Sequence, residues 1–220
     1  MTEHQHLLFV RHGETVGNLD LIAHGQTESP LNARGIRQAT LTAEMLKTRD
    51  RDYQLVYASP LSRAHHTGKI IAENLHLPLH THPELIEGHL GILEEVTYQE
   101  LEDFGYGKKS IKDDDFDEHG GESPNTLAVR ITGGIADIRK KHRVENIIIV
   151  SHGVAISHLI ARLLGTSPAF GQQYQMHNAA FTEVKFGRNS KPELTALNYH
   201  EHLPSELILK QKRSKKNVTE

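Results

Sequence analysis

The sequence predicts an α/β domain of three layers, with a mostly parallel central sheet and helices on both faces. Two observations lead there. Short apolar runs alternate along the chain with stretches whose apolar residues recur at three-and-four spacing, the pattern of doubly covered strands and the helices that cover them. One element also recurs, an apolar strand followed by a polar residue and His-Gly. It appears as Leu8-Phe9-Val10-Arg11-His12-Gly13 and as Ile148-Ile149-Val150-Ser151-His152-Gly153. The strands of a parallel sheet end on one shared edge, where ligands bind. His12 and His152 are therefore expected to meet there.

The elements follow in order. Leu7 to Val10 reads as the first strand. Asn32 caps a helix from Ala33 to about Lys47, with Ile36, Ala39, Ala43 and Leu46 facing inward. Gln54 to Ala58 is a second strand. Ser59-Pro60 reads as an N-cap with proline at the first helical position. The helix after it buries Leu61, Ala64, Gly68, Ile71, Ala72 and Leu75, and Pro78 ends it. Leu79 to His82 is a third strand. Between residues 101 and 122, Gly105, Gly107, Gly120 and Gly121 frame the acidic run Asp113-Asp114-Asp115, and this segment reads as a loop or lid. Ser123-Pro124 repeats the cap-plus-proline signal. The helix it opens runs to about His142 and buries Leu127, Ile131, Ile135 and Ile138. Asn146 to Val150 is a strand, Val154 to Leu164 a mostly apolar helix, and Ala179 to Phe186 and Leu194 to Asn198 are closing strands. One domain is thus expected over 1–208. A basic tail, 209–220, carries Lys210, Lys212, Arg213, Lys215 and Lys216 and reads as a solvated terminus.

Composition narrows the function. The chain has 220 residues, 17 histidines, no cysteine, no tryptophan and a net charge of −3. Without cysteine there is no disulfide, thiol nucleophile or thiolate metal site. The charge balance makes no case for nucleic acid or an anionic membrane as partner. No apolar run reaches the length of a signal or a membrane span, so the cytoplasm is expected. The pairs His4/His6, His65/His66, His80/His82 and His200/His202 lack a third ligand at metal spacing, and His-Glu-x-x-His is absent. They read as surface histidines, and neither a metal site nor a cofactor is expected.

The chemistry concentrates at the shared edge. Arg11 adjoins His12. Arg63 falls in the first turn of the helix after Ser59-Pro60, where backbone N–H groups favour an anion. Two guanidinium forks, a helix N-terminus and two histidines suit a compact dianion such as a phosphoryl group. Glu87 lies in the apolar, glycine-rich stretch Leu85-Ile86-Glu87-Gly88-His89-Leu90-Gly91. Partial burial there favours the protonated form that a general acid needs.

Arg11-His12-Gly13-Glu14-Thr15 with Asn18 resembles the signature of the histidine phosphatase superfamily, the phosphoglycerate mutase-like proteins. The resemblance spans most of the chain in the family's order. It continues through Leu31-Asn32-Ala33-Arg34-Gly35 with Gln38-Ala39, Ser59-Pro60-Leu61-Ser62-Arg63-Ala64 to Thr67, and Leu85-Ile86-Glu87 with Gly91 and Glu94. It ends with Gly120-Gly121-Glu122-Ser123 and Val150-Ser151-His152-Gly153. It implies the phosphoglycerate mutase-like fold, with His12 as the nucleophile that becomes a phosphohistidine. Arg11, Arg63 and His152 would hold the phosphoryl oxygens, and Glu87 would protonate the leaving oxygen and then activate water. Asn18, Gln26 and Gly153 would contact phosphate or substrate, and His177-Asn178-Ala179, at a strand start, would line the back of the pocket. Leu93 stands where the family often has Trp, and Glu95 where Gly is common. The basic and aromatic elements of glycolytic mutases are not evident in Glu94-Glu95-Val96-Thr97-Tyr98. The resemblance therefore favours a metal-independent phosphomonoester hydrolase acting on a small phosphorylated metabolite. A phosphoglycerate mutase and a non-catalytic phospho-ligand binder are the alternatives. His89, Lys108 and Lys109 read as exposed lid charges.

Overall fold

A six-stranded sheet organises the computed structural model, which describes residues 4–187 and 190–209. Its strands are β1 (His4–Arg11), β2 (Leu55–Ala58), β3 (Leu79–Thr81), β4 (Ile147–Ser151), β5 (Phe181–Gly187) and β6 (Glu193–Tyr199), in the order β3-β2-β4-β1-β5-β6. The first four are mutually parallel, and β5 and β6 close the sheet antiparallel. The helices are α1 (Val16–Asp20), α2 (Ala33–Thr48), α3 (Ser62–Leu75), α4 (Tyr98–Phe104), α5 (Tyr106–Ser110), α6 (Pro124–Lys141) and α7 (Gly153–Leu163). The expected layers and mostly parallel sheet are present.

Continuous apolar runs make this possible. In β1 and β4, Leu7 to Val10 and Ile147 to Val150 are all fully buried. Side chains alternate across the sheet, so Leu7, Phe9, Ile147 and Ile149 pack with Leu127, Ile131, Ile135 and Ile138 of α6 and Ile156 and Leu159 of α7. Leu8, Val10, Ile148 and Val150 pack with Ala43 and Leu46 of α2 and Ala64 and Ile71 of α3. Each such side chain contributes about 1.5–3 kcal/mol on burial.

Several local expectations change. Asn32 does cap α2, accepting the Gly35 N–H at 2.8 Å. Ile36, however, is 41% exposed, and the buried face is Gly35, Gln38, Ala39, Thr42, Ala43 and Leu46. The helix turns Gly35 against the Glu14 backbone, where a Cβ would overlap the Glu14 carbonyl. That rotation carries Ile36 outward. Ser59 is not a cap. The N-cap of α3 is Leu61, with no side-chain bond, and the Ser59 hydroxyl accepts the Leu61 N–H at 3.3 Å ahead of the helix while also meeting His152. Ser123 does cap α6, accepting the Thr126 N–H at 3.1 Å.

The segment expected as a loop contains α5 and most of α4. Thr97 and Glu100 form a capping box that starts α4, and Gly105, at φ +79°, joins it to α5. The acidic run after them is docked, since Asp114 accepts from Ser167 Oγ at 2.6 Å and from the Ala169 N–H at 2.7 Å. Of the histidines expected at the surface, one is buried and another half-buried. His6 is buried against Glu183, and His202 stacks on Tyr199 and bonds to Thr42. The basic residues from Lys210 onward lie outside the described residues. No described helix is long and apolar enough to cross a membrane.

Candidate active site

Register brings the two His-Gly elements together. Arg11 of β1 lies opposite Ser151 of the parallel β4. The next residues leave the sheet side by side, with the His12 N–H donating to the Ser151 carbonyl at 3.0 Å. The His12 and His152 ring centroids are 5.2 Å apart.

His12 is 4% exposed, and its Nδ1 lies 2.7 Å from the Gly13 carbonyl. A carbonyl only accepts, so Nδ1 carries the proton and Nε2 keeps its lone pair. Burial, then the charges of Arg63 and Arg11, hold the His12 pKa well below the ordinary histidine value, against a smaller upward pull from the Gly13 carbonyl. His12 is thus neutral at pH 7. Gly13 packs where a Cβ would overlap the Gly35 carbonyl, and its N–H donates to Thr67 Oγ1 at 3.0 Å. The turn carrying His12 is therefore pinned by α2 and α3.

Arg63, 2% exposed in the first turn of α3, donates from Nε to His152 Nδ1 at 3.2 Å. Nη1 donates to the Thr27 carbonyl at 2.8 Å and Nη2 to the Gly25 carbonyl at 2.6 Å. A guanidinium has five N–H donors, so each terminal nitrogen keeps one for a ligand. The carbonyls are aimed by Glu94. Its carboxylate accepts the N–H groups of Gly25 and Gln26 at 2.9 Å, of Leu90 at 3.0 Å, and the Thr27 hydroxyl at 3.0 Å. Burial alone would raise the Glu94 pKa. The N–H donors of Leu90, Gln26 and Gly25 outweigh it and hold the carboxyl below its usual range.

His152 is completely buried, and its tautomer follows from Arg63. Guanidinium N–H always donates, so Nδ1 accepts, and Nε2–H donates to Ser59 Oγ at 2.8 Å. Burial, then Arg63 and His12, keep its pKa well below the usual value. Both ring nitrogens are engaged by the protein, whereas the resemblance implies a contact to the phosphoryl group. Arg11 donates from Nη1 to the Met176 carbonyl at 2.6 Å, and its Nε has no partner among the described residues. A Cβ on Gly153 would press on that Nε at 3.2 Å, so the glycine makes room for the guanidinium.

Glu87 is 8% exposed and sits at the N-terminus of α7. Oε1 accepts from Ala155 N–H at 2.8 Å and Gly88 N–H at 3.0 Å, and Oε2 from Val154 N–H at 3.1 Å. The burial expected from sequence is present, and three backbone N–H groups hold the carboxyl in place. The Glu87 carbonyl receives Gln26 Nε2 at 3.1 Å and Arg130 Nη2 at 3.0 Å. Gln26 thus braces the Glu87 backbone. Asn18 Oδ1 accepts the Thr15 N–H at 3.2 Å and Asn178 Nδ2 at 3.0 Å. His177 packs against His200 with ring centroids 4.5 Å apart and planes tilted by 57°, before β5 rather than at its start. Tyr106 of α5 stands edge-on to Phe116 and His119. Burial pushes its phenol up to about 12, with Glu87 and Glu122 adding to the shift.

Arg11, His12, Arg63, Glu87 and His152 therefore gather at the carboxyl end of the parallel strands, with Asn18, Gln26 and Gly153 joined to them. Sequence reading misses the supporting roles of Ser59, Thr67, Glu94 and Asn178. Among the described residues, no group of three His, Asp or Glu side chains is placed to hold a metal ion.

The family model for the histidine phosphatase superfamily (branch 1) matches residues 7–200. The uncharacterized phosphatase PhoE of Bacillus subtilis is 33% identical over 194 residues, 88% of this chain and 94% of its own. A probable phosphoglycerate mutase, GpmB, of an Enterobacter species is 31% identical over 180 residues, 80% of this chain and 83% of its own. The crystal structure of phosphoserine phosphatase from Entamoeba histolytica, in complex with 3-phosphoglyceric acid, superposes with a TM-score of 0.80 at 31% identity. It covers 91% of this chain and 100% of that one.

Proposed function

This chain belongs to the histidine phosphatase superfamily, branch 1, and from that premise we propose that it is a metal-independent phosphomonoester hydrolase working through a phosphohistidine on His12. One observation carries the reading. The 2.7 Å contact from His12 Nδ1 to the Gly13 carbonyl leaves Nε2 unprotonated, with the buried guanidinium of Arg63 and the half-buried one of Arg11 close by.

The reaction runs in two halves. The ester phosphate sits between the free N–H donors of Arg63 and Arg11 and the amide of Asn18. His12 Nε2 attacks phosphorus as the bond to the ester oxygen breaks, and Glu87, protonated at the outset, gives its proton to that oxygen. Oε2 is the site for this proton, because it accepts one backbone N–H where Oε1 accepts two. Water then attacks the phosphorus. Glu87 takes its proton, the N–P bond breaks, and neutral His12 returns with Glu87 protonated again. Charge that spreads over the transferring oxygens is met by Arg11 and Arg63, whose fixed positions cost no reorganisation during transfer. His152 accepts from Arg63 Nε at Nδ1 and donates its Nε2–H to Ser59 Oγ, which holds the guanidinium in place.

Hydrolysis is favoured over transfer to a second phosphoglycerate. A mutase has to seat an additional carboxylate, while Lys109 and Arg130 are committed to Glu118 and Glu122, each at 2.7 Å. The substrate on this reading is a small phosphoester whose phosphate supplies most of its recognition. Turnover of an aryl phosphate with chelator present, lost in His12→Ala, tests the mechanism. A coupled assay primed with 2,3-bisphosphoglycerate tests the branch, since a mutase isomerises phosphoglycerate faster than it hydrolyses it.

A further inference from the structure

The carbonyl of His12 faces a side chain to which the mechanism assigns no role. Asn178, 6% exposed, donates from Nδ2 to the His12 carbonyl at 3.2 Å and to Asn18 Oδ1 at 3.0 Å. Its neighbourhood is held firmly. The next residue, Ala179, is in the left-handed region at φ +57°, its N–H donates to the carbonyls of Arg11 and His12, and its own carbonyl accepts from Thr42 Oγ1 at 2.9 Å.

These contacts determine the polarity of two amides. A carbonyl can only accept, so the Asn178 atom that meets His12 is the NH2 group. Both hydrogens of that NH2 are then spent, one on the His12 carbonyl and one on Asn18. The Asn18 atom facing Asn178 is therefore the oxygen. The Thr15 N–H, 3.2 Å from the same oxygen in the capping box that starts α1, demands the same orientation. Asn18 is left with its own NH2 unengaged by any acceptor among the described residues, and it is only partly buried.

We infer that Asn178 is a positioning residue that couples the backbone of His12 to the side chain of Asn18, so that Asn18 presents donors and never its oxygen to the bound phosphoryl group. The inference rests on the reading of Asn18 as a phosphate ligand. An amide free to flip would spend part of its time aiming an oxygen at a dianion. The Asn178 contact suppresses that orientation and transmits the position of the His12 turn to the ligand.

The test is a double-mutant cycle on the full chain, with competitive inhibition by inorganic phosphate as the readout. Asn178→Ala is expected to raise the phosphate inhibition constant about 3- to 10-fold, the range for losing one of two hydrogen bonds that orient a ligand group. In an Asn18→Ala background the same change is expected to have less than about a 2-fold effect, because the group it orients is gone. Equal effects in the two backgrounds would show a structural role for Asn178 and overturn the inference, as would no effect of Asn178→Ala in the wild type. An unchanged inhibition constant in Asn18→Ala alone overturns the reading of Asn18 as a ligand and the inference with it, while leaving the His12 mechanism standing. Should Asn178→Ala not fold, Asn178→Ser, with a shorter donor, carries the same expectations.

Discussion

Arg63 Nε stands 3.2 Å from His152 Nδ1, and this one contact determines the protonation pattern on that side of the site. A guanidinium cannot accept, so the imidazole must carry its proton on Nε2 and spend it on Ser59. A serine outside the catalytic set thereby becomes part of its geometry.

Ser59→Ala removes the acceptor for that proton in a fully buried place. The Leu61 N–H loses the same acceptor, and each buried donor left unsatisfied costs about 1–3 kcal/mol. Urea unfolding should show a loss of that size, with a fall in kcat/KM as Arg63 loosens. Ser59→Thr keeps an oxygen at the same position and should retain most of both. Equal losses in the two variants would show that the hydroxyl is not what matters.

Glu94→Gln should act on the same guanidinium from the other side. The carboxylate gathers N–H groups from residues 25–27 and Leu90, and it aims the Gly25 and Thr27 carbonyls at Arg63. A glutamine turns an NH2 toward some of those donors. Hydrogen bonds to charged groups are worth about 1.5–3 kcal/mol, so kcat/KM should fall roughly 10- to 100-fold. A change under about 3-fold would mean that the loop holds its shape without Glu94.

The pH dependence follows from the histidines. His12 and His152 have pKa values well below the usual one in the folded protein, by burial first and then by the neighbouring guanidinium groups. Below about pH 6.5 the unfolded chain takes up protons that the folded one refuses. Their contribution to stability is therefore complete above that pH and is lost as pH falls, by up to about 1.4 kcal/mol per pH unit for each histidine. The acid limb of kcat/KM should also lie below the ordinary histidine range. Unfolding and activity measured from pH 7.5 to 5 check both, and stability that rises on acidification across this range would contradict the assignment.

Glu87→Ala should separate substrates by leaving group. An alkyl alkoxide needs a proton to depart, and an aryl oxide needs it much less. The variant should lose roughly 10²- to 10⁴-fold on an alkyl phosphate and far less on para-nitrophenyl phosphate. Equal losses would make Glu87 a cap for α7 and nothing more.

What the sequence made legible, and what it hid, has a physical pattern. His12, His152, Arg11 and Arg63 could be placed together because each lies at the end of a strand or shortly after it, and parallel strands deliver their ends to one edge whatever the loops do. Ser59, Glu94 and Asn178 were obscure because their partners are backbone groups and side chains far away in sequence, which leave no local spacing. Ser59 also carried a misleading signal, since Ser-Pro is a good helix opening, yet α3 starts only at Ser62 and the Ser59 hydroxyl serves His152 and the Leu61 N–H. Ile36 matched a helical stripe, but the approach of Gly35 to Glu14 rotated α2. Glycine and acidic composition concealed α4 and α5, although Thr97 and Glu100 stood at capping-box spacing.

The most direct measurement is rapid quenching of wild type and His12→Ala with an aryl phosphate in the presence of chelator, followed by mapping of the acid-labile phosphoryl group. A phosphoryl group on His12 Nε2 is expected in the wild type. None is expected in the variant, with turnover lost. Steady turnover by His12→Ala, or a phosphoryl group trapped on any other residue, would contradict the phosphohistidine mechanism.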